Sequence, residues 1–167
     1  LSIKDLCTIQ GIGPAKAITI IAAIELGGRR TTAQQQNEKI SSSEHAAAIF
    51  QPMLQDKAYE EFWVLFLKQN NQVIKPYKVS EGGMSITTAD PKRIFKGALD
   101  SGAAAIILCH NHPSGSLKPS SADIALTKKL TRAGKNLDIR VLDHIIVCDG
   151  GYYSFLDDGI WESIENS

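Results

Sequence analysis

Cysteine and histidine are both scarce in this chain. The three cysteines, Cys7, Cys109 and Cys148, stand far apart, and none belongs to a Cys-x-x-Cys pair. That pattern offers no zinc ribbon and argues against a disulfide framework, so a reducing cytoplasm is the expected setting. No apolar run approaches the roughly 20 residues of a membrane-spanning helix, and no secretory leader is legible at the front. Excess charge is missing as well, since 18 basic and 18 acidic residues cancel. A chain-wide cationic footprint of the kind that drives strong DNA binding is thereby excluded, although a local patch is not. What remains is ordinary globular composition, 43% hydrophobic and 22% charged over 167 residues. That length suits one domain, or one domain with a small appendage.

Residues 1–30 read as helical, with Leu6, Ile9, Ile12, Ile18, Ile21 and Ile24 near the helical period. Gly11-Ile12-Gly13-Pro14 interrupts them. Gly13 is the expected site of a positive φ, and Pro14 suits the first turn of a new helix. Gly27-Gly28 is the expected end of that helix, and the polar stretch Thr31 to Ser43 reads as a linker. A helix follows over about 44–57. Glu60 to Leu67 and Val73 to Val79 read as paired strands around Asn70-Asn71, with Pro76 marking an edge or a bulge. Met84 to Thr88 reads as a short third strand, and Pro91 opens a helix to about Asp100. Ala103 to Cys109 (AAAIILC) reads as a buried central strand. A helix over about 121–134 and strands at Arg140 to Val147 and Tyr152 to Phe155 complete a mixed α/β or α+β domain from about residue 41.

Two of the four histidines sit in one stretch, CHNHPSGSLKPSSAD, residues 109–123. On an extended segment, residues two apart face the same way, so His110 and His112 can converge on one ion. Turn-forming residues then give the chain room to double back and present Asp123 from the first turn of a helix. Two imidazole nitrogens and a carboxylate suit Zn²⁺ with one position left open, the style of a catalytic site. Ser120-x-x-Asp123 is also a variant of the helix capping box, and Asp123 can serve both as cap partner and as ligand.

His110-Asn111-His112-Pro113, six residues, Ser120, two residues and Asp123 match the JAMM metalloprotease signature His-x-His-Pro-x6-Ser-x2-Asp at every fixed position. The strings HNHPSG, KPSSAD, PKRIFKGAL and LDHIIV, with GIGPAKA at the front, resemble the RadC branch of that superfamily. The resemblance implies an α+β fold: a cytidine-deaminase-like JAB/MPN three-layer domain with a mixed sheet flanked by helices, behind a small helical hairpin. The implied organisation is a helix-hairpin-helix-like segment at 1–30, a linker at 31–40 and the metalloprotease-like domain at 41–167. It implies one Zn²⁺ per chain on His110, His112 and Asp123, and hydrolysis of a peptide, isopeptide or related amide bond in a peptide or protein substrate.

Such chemistry needs a base for the water that the metal activates. By resemblance Glu60, just before the first apolar strand, takes that place, although Trp63 stands where the family pattern has Gly. Glu61 would point to the opposite face, and Glu81 is a more distant alternative. By the same resemblance the Ser120 hydroxyl supports the oxyanion of a tetrahedral intermediate. One of Asp143 and His144 can lean on a metal-bound histidine from a neighbouring strand. Cys109 is expected to point away from the histidines, and His45 to lie on the surface.

The rival reading is a non-catalytic metal-containing module associated with DNA repair or nucleic acid. Gly11, Gly13 and Lys16 resemble a helix-hairpin-helix tip, in which backbone N–H groups hold a phosphate without reading bases. The resulting expectation is weak DNA contact through the front segment, no membrane partner, and an oligomeric state left open.

Overall fold

Alternation decides the central sheet. The computed structural model describes residues 2–35, 38–82 and 89–165, and by packing the chain divides into two units, Leu1–Gln36 and Asn37–Ser167. Among the described residues of the second unit, five strands form one sheet in the order β2-β1-β3-β4-β5: β1 (Glu61–Leu67), β2 (Val73–Glu81), β3 (Ala105–Asn111), β4 (Arg140–Cys148) and β5 (Gly151–Ser154). β3 and β4 run parallel, and every other neighbouring pair is antiparallel. β1 and β3 are buried nearly throughout, which explains why both read as continuous apolar runs.

Odd and even positions of these strands feed two cores. Phe62, Val64, Phe66, Ile106, Leu108 and Ile146 pack with Ile94, Phe95, Leu130 and Trp161 on one face. Leu65, Leu67, Ile107, Cys109, Ile145 and Val147 pack with Ala46, Ile49, Phe50 and Leu54 on the other. Each fully buried Leu, Ile or Phe contributes about 1.5–3 kcal/mol of transfer free energy. Of the remaining helices, α3 (Ser43–Leu54) therefore covers one face, while α4 (Pro91–Asp100), α5 (Ser121–Lys135) and α6 (Ile160–Glu165) cover the other, giving three layers. Pro76 lies in β2, an edge strand, as its missing N–H requires. The expected strand at Met84 to Thr88 falls outside the described residues.

In the first unit, Ser2 and Asp5 form a reciprocal capping box on α1 (Ile3–Cys7). α2 runs from Pro14 to Gln35. Two expectations are corrected. The left-handed residue of the turn is Gly11, at φ +86°, rather than Gly13. The helix also continues through Gly27-Gly28, because a helical glycine costs only about 1 kcal/mol relative to Ala and propensity alone does not end a helix. Residues 31–35, read as linker, are thus helical. Glu38 to Ile40 add to the sheet edge of the second unit. Lys39 bridges Gln72, Ile40 donates its N–H to the Asn71 carbonyl, and the Ile40 side chain is buried. Among the described residues, no helix is long and apolar enough to cross a membrane.

Candidate metal centre

The crossover from β3 through α5 to its parallel neighbour β4 builds the site. His110 lies one residue from the end of β3, paired with Phe62 on one side and Ile146 on the other. The Phe62 ring stacks on its imidazole at 5.9 Å between centroids, 9° from parallel. His112 follows just past the strand, and its N–H still donates to the Val147 carbonyl at 2.9 Å. The chain stays extended there, so both imidazoles face α5. Gly115, at φ +78°, then turns the loop back, with its N–H on the His112 carbonyl. Ser120 caps α5, and Asp123 occupies the third helical position.

The ligand atoms meet closely. His110 Nε2 stands 2.9 Å from His112 Nε2. Asp123 Oδ1 lies 3.5 Å from His110 Nε2, and its Oδ2 lies 3.8 Å from His112 Nε2. A four-coordinate ion with bonds of about 2.0–2.1 Å spaces its ligands about 3.3 Å apart, within the span of these three separations. The His112 Nδ1 faces the Ser116 carbonyl at 2.6 Å. A carbonyl only accepts, so that nitrogen carries hydrogen, and in the neutral ring Nε2 is the atom that can offer a lone pair to the centre. Burial is the main cause that pushes His110 down to about 4, with Asp123 pulling it up and His112 pushing it down further, so it is neutral and able to ligate at pH 7. The three residues could hold a metal ion, and they are the group among the described residues whose ligand atoms all lie within 4.8 Å of one another.

Asp123 has a second task. Its Oδ2 accepts the Ser120 N–H at 2.7 Å and the Ser120 hydroxyl at 2.6 Å, while the Ser120 oxygen accepts the Asp123 N–H at 3.1 Å. The capping box and the candidate ligand set therefore share one carboxylate. The Ser120 hydroxyl hydrogen is committed to Asp123 in this arrangement and must rotate to reach anything in the cleft.

Glu60, Ser120, His110, His112 and Asp123 line one cavity of about 390 Å³, closed on its apolar side by Phe62, Ala89 and Leu126. Glu60 lies on the same side of the extended chain as Phe62, which stacks on His110. Its neighbour Glu61 is buried and engaged: its carboxylate accepts Trp63 Nε1–H at 2.8 Å and the Lys78 ammonium at 2.9 Å. Burial pulls Glu61 upward, but the Lys78 and Trp63 hydrogen bonds outweigh it and hold the carboxyl below its ordinary range. Glu81 also pairs with Lys78, at 2.7 Å, and is mostly exposed.

Asn111, between the two histidines, was passed over in the sequence. Its side chain is buried, accepts the Glu61 N–H at 2.7 Å and donates to the Tyr59 carbonyl at 3.0 Å. The Glu60 carbonyl accepts the Gly82 N–H at 2.7 Å. The backbone on both sides of Glu60 is thus pinned. A polar residue alternating with two ligand histidines was the signal that could have found Asn111. His144 supports His110, as the strand alternation allowed, while Asp143 faces the other way and accepts Ser154 Oγ–H and the Leu156 N–H. Cys109 faces the α3 side, where burial pushes its thiol well up. His45 is exposed. In the first unit, Lys16 donates to the Gly11 carbonyl at 3.0 Å, and a Cβ at Gly11 or Gly13 would meet nothing within 4 Å.

Residues 40–160 match a family model described as a RadC-like JAB domain. The chain belongs to the RadC family of JAB-domain proteins. It is 48% identical over 163 residues to a UPF0758 protein of Flavobacterium johnsoniae, covering 96% of this chain and 71% of that relative. A UPF0758 protein of Porphyromonas gingivalis is 44% identical, over 92% of this chain and 68% of its own length. One from Methanosarcina mazei is 40% identical, over 95% and 69%. These names state neither a metal nor a substrate. In this RadC-like domain the His-x-His and Asp signature falls at the carboxyl end of a parallel strand pair, a common location for ligand sites in α/β sheets.

Proposed function

We propose that this RadC-like domain is a zinc-dependent hydrolase of amide bonds, acting on a peptide or isopeptide link in a protein substrate. The observation that carries this reading is the convergence of two imidazoles and one carboxylate beside Glu60 and Ser120 in a single cleft. When bound, such an ion supplies Lewis acidity, polarising a carbonyl and lowering the pKa of water towards about 7. Glu60 is the base that takes a proton from the attacking water and returns it to the leaving nitrogen. Glu61 is unsuited to that work because Lys78 and Trp63 already occupy its carboxylate. Ser120, once its hydroxyl turns from Asp123, donates to the oxygen on which charge develops. Phe62, Ala89 and Leu126 give the substrate an apolar wall that excludes water from the reacting bond. Three protein ligands rather than four favour catalysis over a closed structural site. The buried unpaired thiols of Cys109 and Cys148 fit work in a reducing cytoplasm.

The test is cleavage of a peptide library by zinc-loaded protein, with and without a chelator, beside the Glu60→Gln variant. Chelator-sensitive cleavage that disappears in Glu60→Gln while zinc content stays at wild type supports the assignment. Full activity in Glu60→Gln would place the base elsewhere.

A further inference from the structure

We infer that Thr127 and His144 form a hydrogen-bonded relay that sets His110 in its Nδ1–H tautomer and so aims the bare Nε2 at the ion position. The inference rests on the metal-binding reading of the site, and the direction of each hydrogen follows from donor and acceptor chemistry.

Thr127 lies one helical turn after Asp123 on α5. Its hydroxyl donates to the Asp123 backbone carbonyl at 2.6 Å. That carbonyl has no hydrogen to give, so the single hydroxyl hydrogen of Thr127 is spoken for. The same oxygen lies 2.7 Å from His144 Nδ1. Only its lone pairs remain on that side, so His144 Nδ1 carries the hydrogen. His144 is completely buried, stacked on Phe155 at 4.7 Å and edged by Phe62 at 5.6 Å. An apolar enclosure of this kind disfavours the charged imidazolium, so the ring is neutral and its Nε2 is bare. His144 Nε2 then accepts from His110 Nδ1 at 2.8 Å. The His110 hydrogen is therefore on Nδ1, and its Nε2 is a lone pair.

The consequence appears at the centre. His110 Nε2, without hydrogen, faces His112 Nε2 at 2.9 Å with the Asp123 carboxylate alongside. The His110 lone pair and the Asp123 carboxylate thus converge on one point beside His112, an arrangement that suits a cation. The relay also closes on itself. It starts at the carbonyl of Asp123 and ends, through Thr127, His144 and His110, at the position that the Asp123 carboxylate faces. Thr127 and His144 are thus positioning residues that act through His110, and neither is a fixed position of the His-x-His-Pro-x6-Ser-x2-Asp pattern.

Thr127→Val preserves the shape of the side chain and removes the hydroxyl. His144 can then place its hydrogen on Nε2, which drives the His110 hydrogen onto the ligand nitrogen. Zinc affinity, measured by competition with a chromophoric chelator, should fall about 10- to 100-fold, the usual effect of losing an outer partner of a ligand histidine. Thr127→Ser should restore it. Imidazole ¹⁵N spectra of the metal-free wild type should show Nδ1–H on His110 and His144, and the Thr127→Val spectra should lose that pattern. Wild-type zinc affinity in Thr127→Val, or an Nε2–H on His110 in the wild type, overturns the relay. Absence of peptide cleavage leaves the affinity and the spectra readable, so failure of the hydrolase assignment is distinguishable. Should the wild type take up no zinc, the metal-free spectra alone decide, Nδ1–H supporting the relay and Nε2–H sinking it.

Discussion

The side-chain carbonyl of Asn111 accepts the backbone N–H of Glu61 at 2.7 Å, tying the segment that carries Glu60 to the end of the strand that carries His110. Asn111→Ala orphans that buried N–H and the Tyr59 carbonyl. Leaving a buried donor unsatisfied costs about 1–3 kcal/mol. Urea unfolding should show a loss of that size, while the bound-metal content, measured by elemental analysis, should match that of wild type. A stability equal to wild type would show that the brace contributes nothing.

Removing a ligand and removing the cap should separate cleanly. His110→Ala and Asp123→Ala should each lose bound zinc on elemental analysis, and Asp123→Ala should lose helix capping as well. Ser120→Ala removes the hydroxyl that accepts the Asp123 N–H and should cost about 1 kcal/mol of stability. It should nevertheless retain zinc. Full zinc occupancy in both ligand variants would end the three-ligand arrangement.

Asp143 predicts a pH dependence of the opposite sense to the usual carboxylate. Burial is the leading cause that raises its carboxyl to about 6 from 3.8, against hydrogen bonds from Ser154, Leu156 and His144 that lower it. The folded state therefore prefers the protonated form. That contribution is fully present below the unfolded value near 3.8 and is lost as pH rises through about 6. At 1.36 kcal/mol per pKa unit, the loss above that range is on the order of 3 kcal/mol. The unfolding free energy of Asp143→Asn, relative to wild type, should improve progressively from pH 4 to pH 8. A difference that stays flat across this range would remove Asp143 as its source.

Gly134 stands where α5 meets the approach to β4. A Cβ there would come within 2.3 Å of the Ile139 carbonyl oxygen, a backbone atom that cannot swing aside. Gly134→Ala should therefore destabilise by about 1–3 kcal/mol, the range for overpacking, despite the better helix propensity of Ala. Thermal unfolding checks this, and a rise in the midpoint would contradict it.

The parts legible in the sequence were those governed by local rules. The spacing of His110 and His112 on an extended strand, and the turn chemistry before Ser120, are periodicities visible in one stretch of chain. The aromatic and branched residues of Glu60 to Leu67 and the apolar run at Ala103 to Cys109 announced strands for the same reason. Thr127 and His144 were less visible as partners of His110, since their meeting depends on β4 lying parallel to β3 with Leu108 opposite His144. No local rule states that register. Asn111 looked like filler between two ligands because its partners lie some 50 residues earlier. Gly27-Gly28 misled in the other direction, because a pair of weak helix formers was given the authority of a stop signal. The short helix Ile160–Glu165 went unread because its anchors, Trp161 and Ile164, mean little without the core that receives them.

All three ion-facing side chains fall within residues 110–123, whereas His144 arrives from the next strand. The grip is therefore local in the chain and its tuning is remote. A fragment ending ahead of Arg140 would keep every ligand and lose the imidazole that orients one of them. On the proposed metal-binding reading, ion retention in the intact domain would double as a gauge of whether β3 and β4 are zipped together. Titrating zinc against graded denaturant would read the seam between those two strands directly.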